Sequence, residues 1–232
     1  IRNMSFTIHH GEAVGIIGAN GAGKSTLLML LMGVLFPAAG DVLVGDVRLT
    51  PKTLPLIRQR LGLVFQDPDD QLFMPSVYDD VAFGPRNFRL DEGEVARRVG
   101  DALARVGITH LRDRAPFKLS GGEKRSAAIA AVLAMEPDVL IMDEPTTALD
   151  PESRRRLINL LNSFGHTKII TSHDLDMVVA TCSRILVIKN GEIAADGTPA
   201  KILSNEILLA DCGLEVPPSM QSCPVCGTRR GC

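Results

Sequence analysis

One short stretch, residues 18–26, limits what this chain can fold into more than any other. It reads GANGAGKST, follows the apolar run AVGII, and leads into the apolar, helix-like run TLLMLLM. The pattern G-x-x-x-x-G-K-[S/T] between a strand and a helix is typical of a phosphate-binding loop, because bare glycine backbone can wrap phosphate oxygens and the helix N-terminus adds a positive dipole end. A plain glycine-rich turn is the alternative, and the strand–loop–helix context argues against it.

The loop also predicts which side chains do the binding. Lys24 would place a positive charge at the β- and γ-phosphates, and the Ser25 hydroxyl would offer an oxygen to Mg²⁺. The predicted phosphate-binding residues are Asn20, Gly21, Gly23, Lys24, Ser25 and Thr26.

Apolar runs bounded by turn residues indicate a set of buried parallel strands. They occupy residues 13–18, 61–65, 138–142, 168–172 and 184–188. Helical patterns alternate with them, over residues 26–34, 94–107, 123–135 and 151–164. This alternation predicts an α/β fold with a mainly parallel sheet, in which ligands bind beyond the carboxyl ends of the strands.

Two segments depart from the alternation. Residues 41–49, DVLVGDVRL, carry Val/Leu alternation around a Gly-Asp pair and predict a small antiparallel hairpin. Residues 67–118 are rich in charge, proline and helix signals and show no clear strand. We expect an inserted helical subdomain there, spanning about residues 67–135.

Composition limits the partners. With 232 residues, 45% of them hydrophobic, the chain can bury a substantial core. A formal net charge of −2 and a pI near 6.2 give no general attraction to nucleic acid or anionic lipid, so no nucleic-acid partner is expected. No apolar run approaches the ~20 residues that span a bilayer, and the sequence opens on Ile1 with no signal-like segment. We expect a cytoplasmic chain, peripheral to a membrane at most, and a piece of a longer one.

Two carboxylates follow one of the predicted strands, in DVLIMDEP. Asp143 lies where the ligand edge of the sheet is expected and could hold Mg²⁺ through water, completing a metal site begun by Ser25. Glu144 is placed to polarise an attacking water. Two solvated acids at a strand end are the alternative.

Three more polar residues follow predicted strands or open a helix. Gln66 ends LGLVFQ and His173 ends IITSH, so each either closes a strand or reaches the γ-phosphate. Asp150, in TTALDPES, can cap a helix that starts at Pro151. Capping alone could explain it.

The stretch LSGGE, residues 119–123, predicts a helix start with a capping box of Ser120 and Glu123. Capping does not explain Gly121 and Gly122, since each costs roughly 1 kcal/mol relative to alanine inside a helix. Something other than helix stability must require bare backbone there.

Taken together, these motifs resemble the nucleotide-binding subunit of an ABC transporter over about residues 1–200. GANGAGKST resembles its Walker A, Gln66 its Q-loop, LSGGE its signature, VLIMDE its Walker B, TALD its D-loop and His173 its H-loop. The resemblance implies a P-loop NTPase of the ABC-ATPase type over residues 1–212, with ATP and Mg²⁺ as ligands. It implies Glu144, His173 and Gln66 as catalytic residues, and Ser25, Gln66 and Asp143 around the metal.

In this family two subunits dimerise head to tail, and each signature helix meets the γ-phosphate of ATP held by the other subunit. The resemblance therefore implies that Ser120, Gly121 and Gly122 bind the partner's nucleotide and that Asp150 faces the partner. It also implies that a monomer is nearly inactive. The dimer could be homomeric or formed with a related ATPase.

Finer features resemble the energy-coupling-factor and cobalt/nickel type. They are FQDPDDQLF (65–73), VYDDVAFGPRN (77–87), LSGGEKR and ILLADCGLEVPP (207–218). The resemblance implies an importer with an integral membrane subunit and a substrate-binding subunit, at the cytoplasmic face of the membrane. Cobalt or nickel is the first expected cargo and a vitamin the second. The competing hypothesis is a soluble ABC-type ATPase that clamps nucleic acid or protein; a P-loop kinase does not account for LSGGE.

The segment after Gln66 carries apolar groups, Leu72, Phe73 and Met74, among acids and prolines. They either pack the helical insert or receive short coupling helices of the membrane subunit. The aromatic residue that stacks on adenine in this family is expected upstream of the first residue of this sequence, and Tyr78, the one tyrosine, lies beyond the Q-loop.

The last predicted unit is a cysteine-containing tail, residues 213–232. Cys223 and Cys226 form a C-x-x-C pair that, with Cys212 and Cys232, could supply thiolates to Zn²⁺. The spacing does not match a standard two-knuckle site, and a reduced, flexible tail is the favoured alternative.

Overall fold

A computed structural model describes residues 1–221 of the chain. The eight strands of this part are β1 (Ala13–Ile17), β2 (Leu43–Val44), β3 (Val47–Arg48), β4 (Leu61–Val64), β5 (Val139–Asp143), β6 (Thr167–Thr171), β7 (Arg184–Lys189) and β8 (Glu192–Gly197). Its nine α-helices are α1 (Lys24–Leu31), α2 (Leu54–Arg60), α3 (Val77–Asn87), α4 (Glu92–Arg105), α5 (Gly121–Leu133), α6 (Pro151–Ser163), α7 (Leu175–Thr181), α8 (Pro199–Leu203) and α9 (Glu206–Asp211).

The main sheet has six strands in the order β4-β5-β6-β1-β7-β8. The first five run parallel, and β8 pairs antiparallel with β7. Each predicted parallel strand lies within a residue or so of its expected position. The edge strand β8 was not predicted, although Asn190-Gly191 precedes it, and such a pair is a strong hairpin signal. Both residues adopt the positive φ of a tight two-residue turn, 51° and 80°.

Alternate strand residues face the two sides of the sheet, and both sides are covered. In β7, Ile185 and Val187 belong to one buried cluster while Leu186 and Ile188 belong to the other. The first cluster also takes residues of α3 to α7 and the second takes residues of α1 and α2. Burial on both faces explains the near-continuous apolar runs of these strands.

The two departures from alternation fold as expected. Strands β2 and β3 pair antiparallel around Gly45 and Asp46, which confirms the predicted hairpin. Three α-helices, α3, α4 and α5, lie between β4 and β5 in the chain and contact one another. Helix α4 buries Val95 and Val99 along one face at helical spacing. The boundary at residue 212 between a domain and a tail stays a prediction.

Outside the helical insert, four helices were not predicted: α2, α7, α8 and α9. None exceeds seven residues, too short for a helical apolar period to show clearly. Within residues 1–221, no helix is long and apolar enough to cross a membrane.

Candidate nucleotide and magnesium site

A cavity of about 320 Å³ opens where β1, β4, β5 and β6 end. Its lining residues are Asn20, Gly21, Gly23, Lys24, Ser25, Thr26, Gln66, Asp143, Glu144, Thr147 and His173. These come from four stretches that are far apart in the sequence, and all but Thr147 are residues that the sequence analysis predicted for the site. The structure thus brings together the phosphate loop, both strand-end acids and the two strand-end residues Gln66 and His173.

The phosphate loop leaves its donors open. Gly21 and Gly23 have φ of 78° and 111°, in the left-handed region that favours glycine. Gly23 is the N-cap of α1, and no side chain of residues 1–221 caps this helix. The first N–H groups of α1 are therefore not consumed by a capping side chain, which suits an anion at this end.

Lys24 lies folded over the loop. Its Nζ donates to the carbonyl oxygens of Gly18 at 2.8 Å and Ala19 at 3.3 Å, and it lies 3.1 Å from Nε2 of His173. Burial lowers the pKa of Lys24, while the charges of Glu144 and Asp143 oppose that shift. As an ammonium Lys24 can only donate, so Nε2 of His173 is the acceptor and a neutral ring carries its proton on Nδ1.

Asp143 is held by a residue that the sequence did not nominate. The hydroxyl of Thr171, at the end of β6, donates to Oδ1 of Asp143 at 2.5 Å. Thr171 is fully buried. The sequence offered one signal for this role, in KIITS. Thr171 follows apolar residues of a buried run, and a buried hydroxyl must find a hydrogen-bond partner.

Glu144 is oriented but only half satisfied. Its φ of 45° is unusual for a residue with a side chain, a strain typical of functional sites. The backbone N–H of His173 donates to Oε2 at 2.9 Å. Oε1 is buried without a hydrogen-bond partner among residues 1–221 and lies 3.4 Å from Nε2 of His173. Since that nitrogen accepts from Lys24, this carboxylate oxygen is left for a donor from a bound water or ligand.

The residues present fit Mg²⁺ and a nucleotide phosphate. An open helix N-terminus, a buried ammonium, a serine hydroxyl and a fixed aspartate line one cavity. These are the groups that suit phosphate oxygens and a hard, oxygen-preferring cation.

Four nominated residues, Ser120, Gly121, Gly122 and Asp150, do not line this cavity. Ser120 forms the predicted capping box: its Oγ accepts from Glu123 N at 3.4 Å, and Glu123 Oε2 accepts from Ser120 N at 2.7 Å. Asp150 caps α6, accepting from the N–H groups of Glu152 at 2.9 Å and Ser153 at 3.0 Å. Hydrogen bonds from Ser153 lower the pKa of Asp150.

The two signature glycines differ in their surroundings. A Cβ atom on Gly122 would lie 2.5 Å from Oγ of Ser153 on α6, so close packing within the chain already asks for glycine there. A Cβ atom on Gly121 would meet nothing within 4 Å. Only Gly121 thus lacks a packing reason within the described part of the chain.

The predicted zinc ligands Cys223 and Cys226 lie outside the described residues, and the zinc site stays a prediction. Cys212 is buried among apolar side chains, where burial raises the pKa of its thiol. From Ile1 to Gln221, no group of three or more His, Cys, Asp or Glu side chains could hold a metal ion. The Arg112 guanidinium lies over the Tyr78 ring, 4.3 Å from the ring centroid. Tyr78 does not line the cavity.

Comparison with known proteins agrees with this geometry. The family model described as ABC transporter matches residues 1–147. A putative ABC transporter ATP-binding protein of Geobacter sulfurreducens is 60% identical over 227 residues, 98% of this chain and 91% of that protein. The energy-coupling factor transporter ATP-binding protein EcfA of Methanothermobacter thermautotrophicus is 45% identical over 222 residues, 94% of this chain and 71% of that protein.

Solved structures share the fold. CbiO1 from Clostridium perfringens, part of the ABC transporter complex CbiONQ, gives a TM-score of 0.81 at 41% identity and covers 90% of this chain and 85% of its own. The dimeric bacterial ABC transporter cassette MJ0796 gives 0.73 at 28% identity, covering 84% and 88%. The chain therefore belongs to the ABC transporter ATP-binding family. Within that family it is an ATPase of the energy-coupling-factor type. The solved structures confirm the predicted fold class, and the family match confirms the predicted enzyme class.

Proposed function

We propose that the chain hydrolyses ATP in this cavity with Glu144 as the group that polarises the attacking water. The observation that carries the proposal is the state of its carboxylate: Oε2 is held by the His173 backbone at 2.9 Å, and Oε1 is buried without a partner in the part of the chain that the structure describes. One fixed and one free oxygen suit a residue that orients a nucleophile. Hydrolysis of a γ-phosphate needs such positioning more than it needs covalent chemistry.

Lys24 and His173 are proposed to meet the terminal phosphates. Within the described residues, the ammonium of Lys24 donates only to backbone carbonyls and the His173 ring, and a phosphate oxygen is a stronger acceptor because it carries the opposite charge. His173 contacts both Lys24 and Glu144, so a change at the phosphate reaches the base through one side chain.

Ser25, Gln66 and Asp143 are the proposed residues around Mg²⁺, with Asp143 acting through water. Thr171 fixes the aspartate, which favours this arrangement because the acid is oriented before the metal arrives. When bound, the ion would neutralise charge on the phosphates.

The signature residues Ser120, Gly121 and Gly122 are proposed to act on the nucleotide of a second ATPase subunit, with Asp150 facing that subunit. They lie outside the cavity of their own chain, and the similar cassette MJ0796 has been solved as a dimer, including one bound to ADP and Pi after hydrolysis. Closing on ATP and reopening after hydrolysis would then drive attached subunits.

We further propose that those subunits are an integral membrane transporter and a substrate-binding protein, with the ATPase at the cytoplasmic face of the membrane. Relatives named for energy-coupling factor transporters support this, and CbiO1 is part of a transporter complex. Cobalt or nickel is the proposed cargo, ahead of a vitamin, on the motif resemblance.

The proposed docking surface follows Gln66. Leu72 is buried and packs the helical insert, but Phe73 is 62% exposed and meets Phe83 edge-to-face with ring centroids 5.0 Å apart. Phe83 is also exposed. A pair of exposed aromatic rings next to a cavity-lining loop suits the helix of a membrane partner.

The testing experiment is purification of the complete, tagged protein from detergent-solubilised membranes of its native host, with mass spectrometry of what co-purifies. A multi-span membrane protein together with a small membrane-bound substrate-binding protein is the expected result, and the identity of the second would indicate the cargo. Recovery of soluble partners alone would move the function to the ATP-driven clamp.

Phe73→Glu sharpens the same experiment. We expect loss of the membrane subunit from the purified complex with basal hydrolysis retained, because a charge replaces apolar contact area. Phe36→Glu is the matched control, since Phe36 is also an exposed phenylalanine, at 44%, but follows α1. Unchanged assembly of the Phe73 variant would contradict this docking surface.

A further inference from the structure

Arg125, on α5, hydrogen-bonds the backbone of the loop that carries Gln66. Its Nη1 donates to the carbonyl oxygen of Phe65 and its Nη2 to that of Gln66, each at 2.6 Å. Arg125 is only 3% exposed, although arginine is seldom fully buried. Its planar guanidinium suits two carbonyls side by side in a way that a lysine ammonium cannot match.

This buried cation has no carboxylate in ion-pair contact within residues 1–221. Burial lowers the pKa of Arg125, with the more distant charge of Asp67 opposing the shift, and Nε has no hydrogen-bond partner among the described residues. Burying an arginine so incompletely satisfied disfavours folding. A role beyond stability therefore offers the better explanation for its position.

Two further side chains attach the same loop to α5. Gln71 accepts from Phe65 N at 3.2 Å and donates to Ala128 O at 2.8 Å. Lys124 donates to both carboxylate oxygens of Asp69, at 2.6 and 2.8 Å. The segment 65–71 and the first turns of α5 are thus joined along their length, from the cavity to the helix interior.

Among these links, only Arg125 hydrogen-bonds Gln66 itself within the part of the chain that the structure describes. Gln66 lines the cavity, while Ser120 caps the same helix that carries Arg125. The guanidinium therefore stands between a residue at this chain's cavity and the signature end of α5.

We propose that Arg125 is a positioning residue that fixes the Gln66 backbone, so that the Gln66 side chain stays at the cavity and moves together with the signature end of α5. The inference rests on the proposed function, since it assumes that Gln66 serves the nucleotide. Arg125 touches no reacting atom; it acts through Gln66.

A double-mutant cycle in the full chain tests this with Gln66→Ala, Arg125→Met and the double variant. We expect each single change to lower kcat by about tenfold, and the double change to lower it no further, because both remove one and the same function. ATP affinity should stay within about twofold of the wild type, since the phosphate loop is untouched. Arg97→Met, an exposed arginine on α4, is the control and should change neither quantity.

Arg125→Lys guards against a variant that fails to fold. It keeps the charge but offers a single nitrogen to two carbonyls, so we expect the same loss of kcat with the Gln66 side chain present and no effect in the Gln66→Ala background.

Losses that multiply in the double variant to about a hundredfold, or a wild-type kcat for Arg125→Lys, would overturn the positioning role while leaving the proposed function intact. A wild-type kcat for Gln66→Ala would instead remove Gln66 from the proposed function, and the inference would fail with it.

Discussion

Two helix N-termini in this molecule were predicted to meet phosphate, and the structure builds them in opposite ways. At α1 the N-cap is Gly23, no side chain in the described part of the chain caps the helix, and the end faces a cavity lined by acids and a histidine. At α5 the N-cap is Ser120, which forms a complete capping box with Glu123 and lies outside that cavity. One end is left open for a ligand, whereas the other is satisfied by its own side chains.

The two helix ends differ in whether a single chain supplies all the groups that the end needs for its proposed role. The α1 end gathers the proposed phosphate donors, metal-binding oxygens and base within a single polypeptide. The α5 end is stable alone, because its capping box satisfies donors that a phosphate would otherwise take. It fits the proposed dimer, in which a second subunit brings the phosphate and the bare backbone at Gly121 meets it.

The largest expected effect is a loss of turnover at the α1 cavity. Glu144→Gln should lower turnover by about 10²–10⁴-fold while ATP binding remains, because the amide cannot polarise a water as a carboxylate does. The variant should accumulate as an ATP-bound dimer, measured by gel filtration with ATP and by steady-state phosphate release. Glu152→Gln, an exposed acid in the first turn of α6, is the control. Full hydrolysis by the Glu144 variant would exclude it as the base.

A second change tests the charge at the same end. Lys24→Ala should weaken ATP binding by roughly a hundredfold, since a charge-assisted hydrogen bond contributes up to about 3 kcal/mol. Because burial lowers the pKa of Lys24, wild-type affinity should fall as the pH rises, at a lower pH than for an ordinary lysine. Isothermal titration across alkaline pH measures both effects. Lys189→Ala removes a partly exposed pair with Asp211 and should leave affinity unchanged.

The α1 site could be predicted almost whole from sequence, and the reasons are local. The phosphate loop is one continuous stretch, and the parallel strands carry Asp143, Glu144 and His173 to one sheet edge by topology alone. Thr171 could not be predicted as a site residue in this way. Its role depends on which strand lies beside β5, and the sequence of neither strand specifies that pairing.

The α5 end was harder to predict. The capping box is local and was predicted correctly from LSGGE. The packing of Gly122 against Ser153 was not predicted, since the two residues lie on different helices and 31 positions apart in the chain. Arg125 was missed for the same reason: no spacing in LSGGEKRS indicates that its guanidinium reaches two carbonyls after β4.

The smallest expected effect separates the two glycines at α5. Gly121→Ala should raise the free energy of unfolding by up to about 1 kcal/mol, because alanine favours helix and the site has room for a methyl group. Gly122→Ala should lose that gain, since its Cβ would lie 2.5 Å from Ser153 Oγ and the neighbouring side chain must shift. Thermal unfolding of the isolated chain compares the two variants directly.

The stability measurement becomes decisive when the ATP-dependent dimerisation of Gly121→Ala and Gly122→Ala is measured as well. If bare backbone at Gly121 serves the partner's phosphate, Gly121→Ala should dimerise and hydrolyse ATP less well although its fold is more stable. No structural defect can produce that combination, because a weakened fold would lower both quantities. A Gly121 variant that is stabilised and fully active would show that the α5 end needs no bare backbone there, and the contrast between the two helix ends would then be one of capping alone.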